Sequence, residues 1–123
     1  RISLYNALEV IAVAENKLAD LSTDFAVKIL KLTDVIKGHY SLVNQLERSA
    51  TSIGANIREA KYAHSKPDFV AKLQIALKEC SESEYWLELL IESGYYGDKA
   101  ILDRCIEIKR ILISSINTAK NGK

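Results

Sequence analysis

The side chains in this chain that could do chemistry are a series of acids, two histidines and two cysteines. Five glutamates recur within fourteen positions: Glu79, Glu82, Glu84, Glu88 and Glu92. Several of these spacings suit a solvated helix face, on which Lys78 and Glu82 form an i,i+4 pair. Since no partner ligands converge with the acids, we do not expect a metal site or a catalytic carboxylate there.

The histidines and the short motifs also give no catalytic arrangement. His39 and His64 lie at opposite ends of one predicted helix, roughly 37 Å apart at about 1.5 Å per residue, so they cannot share a metal within one subunit. The sequence has no Gly-Lys-Ser/Thr phosphate loop, no His-Glu-x-x-His and no Cys-x-x-Cys. We therefore expect no enzyme activity, no metal and no cofactor.

The two cysteines, Cys80 and Cys105, both fall on apolar helical stripes. If their helices form an antiparallel hairpin centred on residue 96, the thiols lie roughly 10 Å apart along the axis, which is too far for a disulfide. We therefore expect buried, reduced thiols and a cytoplasmic location.

Two short basic clusters are the candidates for binding RNA or DNA. Arg58 and Lys61 lie beside Tyr62, and the other cluster lies on the last predicted helix; its members are Arg104, Lys109 and Arg110. A solvated helix face is the ordinary explanation of clusters this small. The net charge is only +1, from 17 basic and 16 acidic residues, so the protein lacks a uniformly basic surface. A weak patch becomes multivalent when a ring of subunits repeats it.

These residues are positioned by helices, of which the one containing residues 46–60 is predicted to be central. Apolar residues recur there at alternating intervals of three and four, the spacing of a helix-packing seam: Val43, Leu46, Ala50, Ile53, Ile57 and Ala60. The residues between them are small, so a neighbouring helix can approach closely. Ser49, Ser52 and Asn56 form a polar stripe on the same helix.

Periodicity and capping residues predict an all-α protein, an antiparallel up-and-down four-helix bundle. The helices are expected at residues 22–37, 41–64, 66–93 and 98–118. Ser22-Thr23-Asp24 and Ser65 provide N-caps for the first and third helices, and Gly38 ends the first. At 123 residues and 48% apolar composition, the chain can form one bundle domain, assigned to residues 22–123. Residues 1–21 are predicted to be a partly helical appendage packed on a neighbouring subunit.

The turn near residue 65 predicts which residues of the second and third helices face each other. Ala50 then lies opposite Cys80, and Arg48 lies opposite Glu82 and one turn from Glu79. We expect Arg48 to form a carboxylate pair across this interface, with a structural role. No segment is long enough to span a bilayer.

Two blocks of sequence together resemble a known family: QLERSATSIGANIREA (Gln45 to Ala60) and SKPDFVAKLQIALKECSESEYWLELL (Ser65 to Leu90). They resemble the small four-helix-bundle proteins encoded in intervening sequences of bacterial large-subunit ribosomal RNA genes, once labelled a ribosomal-protein type. The resemblance extends from about Glu15 to Tyr96. Residues 1–14 have no counterpart.

The resemblance implies a homopentameric ring and a relationship to the accessory protein of diversity-generating retroelements, a basic pentamer that binds nucleic acid and a reverse transcriptase. This chain differs from that relative in being nearly neutral. The family's recurring residues correspond here to Arg48, Asn56, Glu59, Glu82, Tyr85 and Trp86. Together with Ser52 of the polar stripe, we expect them to be fold or assembly determinants. We expect Tyr85 and Trp86 to lie in the core or at a subunit interface rather than to stack on bases.

Two functions follow as alternatives. The first is a non-enzymatic homo-oligomeric accessory protein that binds structured RNA or DNA. The second is a protein–protein scaffold or adaptor, whose ring holds a partner protein and which has no nucleic-acid role.

Overall fold

Four helices make up the part of the chain that the structure describes. The computed structural model describes the backbone of residues 4–121 and the side chains of residues 12–121. The helices are α1 (Leu4–Val35), α2 (Tyr40–Lys61), α3 (Lys66–Glu92) and α4 (Ala100–Asn121). No strand occurs within these residues, so the predicted all-α class is confirmed.

Helix α1 begins far earlier than the sequence predicts. The helix is continuous from Leu4 through the expected cap at Ser22, so the boundary at residue 22 is wrong. The Ser22 hydroxyl donates instead to the carbonyl of Ala19 inside the helix. Leu18 and Phe25 are both fully buried one turn to either side, so the core holds the helix together across this site. The division into an appendage at residues 1–21 and a bundle domain stays a prediction.

The other helix ends follow local chemistry. Ser65 accepts the backbone N–H of Asp68 with its side chain and caps α3 as predicted. Gly38, with a φ of 79°, takes the left-handed conformation expected after α1. Asp98 accepts the N–H of Ala100 at the start of α4. Helix α4 continues beyond the expected residue 118 because Ala119 still packs in the core, only 4% exposed.

The helices pack in a closed square, in which α1 contacts α2 and α4, and α3 contacts the same two helices. Each contributes a fully buried side chain to a common core: Phe25, Ile53, Leu87 and Leu112. Among the residues described, none of the four helices combines the length and the apolar composition needed to cross a membrane.

The predicted pairing of α2 with α3 is confirmed by polar contacts along their seam. Arg48 reaches Glu82 at 2.7 Å and Glu79 at 3.2 Å. Beneath this ion pair, the buried hydroxyls of Ser49 and Ser83 lie 2.8 Å apart. Both contacts require the antiparallel register that a turn near residue 65 imposes.

The predicted register of α3 with α4 is wrong. The Sγ atoms of Cys80 and Cys105 lie 3.7 Å apart rather than about 10 Å along the axis, so the pair is centred near residue 92 instead of 96. The connecting segment is not a symmetric turn, because the N–H groups of Tyr95 and Tyr96 donate back to the carbonyl of Leu90. The segment therefore folds back along the end of α3 before α4 begins.

Candidate nucleic-acid interface

The first predicted basic cluster lies at the carboxyl end of α2. Arg58 and Lys61 belong to its last turn, and Tyr62 is the residue at which the helix ends. We call these three residues the α2 basic end. Tyr62 is 72% exposed, and neither Arg58 nor Lys61 forms a hydrogen bond or ion pair with any described residue. Cations in the last turn of a helix are also attracted to the negative end of the helix dipole, so these two side chains also stabilise α2.

The α2 basic end lines a concave site between α1 and α2, with a volume of about 240 Å³. We call this site the α1–α2 cleft. Helix α1 supplies Glu15, Asn16, Ala19 and Thr23 to its wall, and α2 supplies Gly54 with the three residues of the α2 basic end. The cleft exists because α1 continues beyond the predicted boundary at residue 22, so sequence reasoning missed it.

Gly54 lets the two helices approach closely at the base of this cleft. A Cβ atom at Gly54 would lie 3.2 Å from the hydroxyl oxygen of Ser22, a tight contact. Ser22 is itself buried, with 1% of its surface exposed. The small residues of α2 therefore allow α1 to pack closely against it.

Glu15 brings a carboxyl group to the same cleft. Its pKa is raised because burial disfavours the charged form, and the positive charge of Lys61 acts in the opposite direction without cancelling that effect. The cleft thus carries two cations and one partly desolvated acid. Hydroxyl and amide groups of Thr23 and Asn16 complete a lining that can both donate and accept hydrogen bonds.

A shallower hollow adjoins the α2 basic end on the side of α3. It is lined by Arg58 and Tyr62 together with His64 and Lys72, and its volume is about 480 Å³. Lys72 forms an ion pair with Glu59 at 3.1 Å, so the charge of Lys72 is already compensated. Arg58 and Tyr62 therefore line both concavities, whereas Lys61 lines the α1–α2 cleft, where its charge acts on Glu15.

The basic residues of α4 do not form one patch. Arg104 contacts Glu107 at 3.2 Å and approaches Asp24 of α1 at 4.0 Å. Lys109 contacts Glu84 of α3 at 2.6 Å, and this hydrogen bond raises the pKa of Lys109. The two cations thus lie on opposite sides of α4, each paired with an acid. Arg110 is exposed and forms no ion pair with a described residue.

The predicted fold or assembly determinants on α2 lie along its α3 side. The Arg48 guanidinium bridges Glu79 and Glu82. Ser52 donates its hydroxyl to the carbonyl of Arg48, and Asn56 donates its side-chain amide to the carbonyl of Ser52. Ser52 and Asn56 therefore satisfy their polar groups within the helix, without a partner on α3.

Tyr85 and Trp86 form an aromatic pair on α3, with ring centroids 5.2 Å apart. Trp86 packs partly against the core, whereas Tyr85 is 53% exposed. The indole N–H of Trp86 is buried and has no acceptor among the described residues. Buried indole N–H groups usually find a partner, so the hydrogen bonding of this side chain is incomplete.

Both cysteines are free and buried, as predicted. Each thiol lies within hydrogen-bonding distance of the other residue's carbonyl, at 3.3 and 3.4 Å. The hydrogen bond with Cys80 and the burial of the site both raise the pKa of Cys105. Raised pKa values and burial make thiols poor nucleophiles and poor metal ligands.

The groups that line the α1–α2 cleft carry charges of both signs and can donate and accept hydrogen bonds. No three histidine, cysteine or acidic side chains come together as a metal site in the described part of the chain. The fold and this surface define an all-α four-helix bundle with a polar cleft at one end. A family model for the 23S rRNA-intervening sequence protein matches residues 14–114, and the chain belongs to that family.

A solved structure is similar over nearly its full length. It is a protein with unknown function from the S23 ribosomal protein family of Bacteroides thetaiotaomicron VPI-5482, 44% identical in sequence, with a TM-score of 0.79. The alignment covers 85% of this chain and 98% of that one. No curated protein matches the chain. The family resemblance in the two sequence blocks is thereby confirmed, and neither description names a catalytic activity.

Proposed function

We propose that this protein is a non-enzymatic, homo-oligomeric accessory protein of the cytoplasm that binds structured RNA or DNA through its α2 basic end. The observation that supports this function is the proximity of two cations that form no ion pair with a described residue, Arg58 and Lys61, to the exposed ring of Tyr62. Guanidinium and ammonium groups bind phosphates, and an exposed aromatic ring offers a surface on which a base stacks.

Assembly strengthens this binding. The α2 basic end of one subunit presents two cations on a protein of net charge +1, which gives weak binding on its own. A homopentamer, the state that the family resemblance implies, presents the α2 basic end five times on one particle. Simultaneous engagement of several copies raises the overall affinity without any new contact.

Salt dependence of binding tests this function directly. The purified protein is titrated into a fluorescently labelled RNA hairpin or DNA duplex at several salt concentrations, and anisotropy is measured. Each neutralised phosphate of duplex DNA contributes about −0.9 to the slope of log binding constant against log salt concentration. The double variant Arg58→Ala/Lys61→Ala should therefore make this slope less negative by about two for each engaged subunit.

A matched control removes the same charge elsewhere. Lys31 and Lys78 are exposed on α1 and α3, outside the α1–α2 cleft and the adjoining hollow. The variant Lys31→Ala/Lys78→Ala should therefore retain the wild-type slope. Equal losses in the two double variants would show that binding follows net charge alone, and would contradict the assignment to the α2 basic end.

The exposed aromatic pair on α3 favours self-association as part of the same proposal. Tyr85 presents apolar surface, because 53% of it is exposed beside the partly buried Trp86. An interface over this pair would cover the exposed ring of Tyr85. Light scattering measures the mass in solution, and we expect Tyr85→Ala to lower it, whereas the exposed Tyr40→Ala should not.

A protein–protein scaffold is the second candidate, because the same aromatic pair could hold a partner protein. The two functions differ in one measurement. Oligomeric protein that binds neither RNA nor DNA at low salt would favour the scaffold.

A further inference from the structure

We propose that the α1–α2 cleft receives a single unpaired base of the bound nucleic acid, and that Glu15 selects cytosine over uracil. This inference rests on the proposed function, since the α2 basic end would hold the adjoining phosphate. It adds a separate site, a base-sized recess with a hydrogen-bonding lining, to a surface that would otherwise bind only by charge.

The size of the cleft limits its occupant. Its volume of about 240 Å³ falls below the range of roughly 300–1,000 Å³ for pockets that hold drug-sized ligands. A duplex cannot enter a recess of this size. One base turned out of a helix or loop is the nucleic-acid fragment that it suits, and extrusion costs least where the base is already unpaired.

The distribution of charge sets the orientation of that nucleotide. Arg58 and Lys61 line one wall, on α2, and have no ion-pair partner in the described residues. A phosphate therefore belongs on the α2 side, with the base extending towards α1. Tyr62 borders the cleft and is largely exposed, so its ring can stack on the base or on its neighbour.

The α1 wall supplies groups that can read a base edge. Glu15 offers carboxylate oxygens, and Asn16 and Thr23 offer an amide and a hydroxyl. A carboxylate accepts a hydrogen bond from the exocyclic amino group of cytosine, at N4. Uracil carries an acceptor oxygen at the same position, which would face the carboxylate without a hydrogen. Cytosine and uracil are nearly identical in size, so they isolate this one contact.

The test uses three fluorescent RNA hairpins that differ at one position: fully paired, with one unpaired cytosine, and with one unpaired uracil. We expect the full-length wild-type protein to bind the cytosine hairpin about tenfold more tightly than the uracil hairpin, the effect of one hydrogen bond to a charged group. Glu15→Gln should remove this preference, because an amide can donate to the uracil oxygen as well as accept from cytosine.

A second variant tests the recess itself. Ala19 is an exposed residue on the wall of the cleft, so Ala19→Leu fills the space without changing any charge. It should remove the advantage of an unpaired cytosine over the paired hairpin. Ala71→Leu makes the same replacement at an exposed position of α3 that lines neither concavity, and should leave all three affinities unchanged.

The outcomes separate this inference from the proposed function. Suppose that the three hairpins bind with equal affinity and that Arg58→Ala/Lys61→Ala still weakens binding. This result would overturn base binding in the cleft and leave the proposed function intact. Binding of cytidine monophosphate at Thr23 and Tyr62, seen by NMR, without binding of any hairpin would overturn the proposed function, and with it the selection of a base in bound nucleic acid. Absence of both kinds of binding overturns both.

Discussion

The buried hydroxyl pair between α2 and α3 gives a quantitative test of the packing. Ser49 and Ser83 are both fully buried, with their oxygens 2.8 Å apart. Ser83 also lies 2.9 Å from the carbonyl of Glu79, whereas the alternative acceptor for Ser49, the carbonyl of Leu46, is more distant at 3.2 Å. We therefore assign the shared bond to Ser49 as donor and Ser83 as acceptor.

This assignment predicts the cost of each alanine substitution. Ser83→Ala removes the acceptor and leaves Ser49 with only the longer bond, so we expect a loss of about 1 kcal/mol, the net value of a typical hydrogen bond. Ser49→Ala leaves Ser83 bonded to its own helix and should cost less. Because both variants remove the same bond, the double variant should cost less than their sum, with a coupling of about 0.5–1 kcal/mol.

Urea unfolding at a fixed protein concentration measures these free energies, because self-association would otherwise shift the apparent stability. Ser114→Ala, at an exposed position of α4, is the control and should be neutral or slightly stabilising, since alanine is the better helix former. Additive effects of Ser49→Ala and Ser83→Ala would show that the two hydroxyls do not share a bond, and would refute the assigned direction and the close approach of α2 to α3.

Three further results are expected from the remaining polar groups. Arg48→Ala should cost no more than about 1 kcal/mol, because half of the arginine side chain is exposed and its ion pairs are screened, and thermal unfolding checks this. The raised pKa of Glu15 means that the folded protein holds that proton more tightly than the unfolded chain, so stability falls as pH rises from the ordinary glutamate pKa through the raised one. Glu15→Gln should therefore flatten this part of the pH–stability profile and stabilise the protein at neutral pH; an unchanged profile would contradict the desolvation of Glu15. Cys80 and Cys105 should react with a thiol reagent only after unfolding, since burial and the raised pKa of Cys105 suppress the thiolate, and rapid labelling of the native protein would contradict their packing.

Local sequence signals did not predict the extent of α1 or the position of α4, for two different reasons. Ser22-Thr23-Asp24 has the composition of a helix start, but Leu18 and Phe25 are buried on one continuous face, so tertiary packing outweighs the capping preference. The register of α4 depends on how residues 93–99 fold back along α3. That path is fixed by hydrogen bonds to Leu90, which no periodicity in the sequence encodes.

The sequence likewise predicted only some of the residues of the candidate site. The sequence identified Arg58, Lys61 and Tyr62 as a cluster because they are neighbours on one helix. It grouped Arg104 and Lys109 in the same way, although Arg104 pairs with Glu107 of its own helix and Lys109 pairs with Glu84 of α3. Glu15 and Ala19 were not recognised as site residues, since only the approach of α1 to α2 brings them to the α2 basic end.

The sequence by itself determined the all-α class, the cap at Ser65 and the pairing of α2 with α3, because these depend on periodicity and on a short turn that fixes which residues face each other. Tertiary structure alone decided which cations remain unpaired, where the thiols meet and where a cleft opens. Those properties depend on distances between side chains of different helices, and small residues such as Gly54 permit a close approach without specifying it.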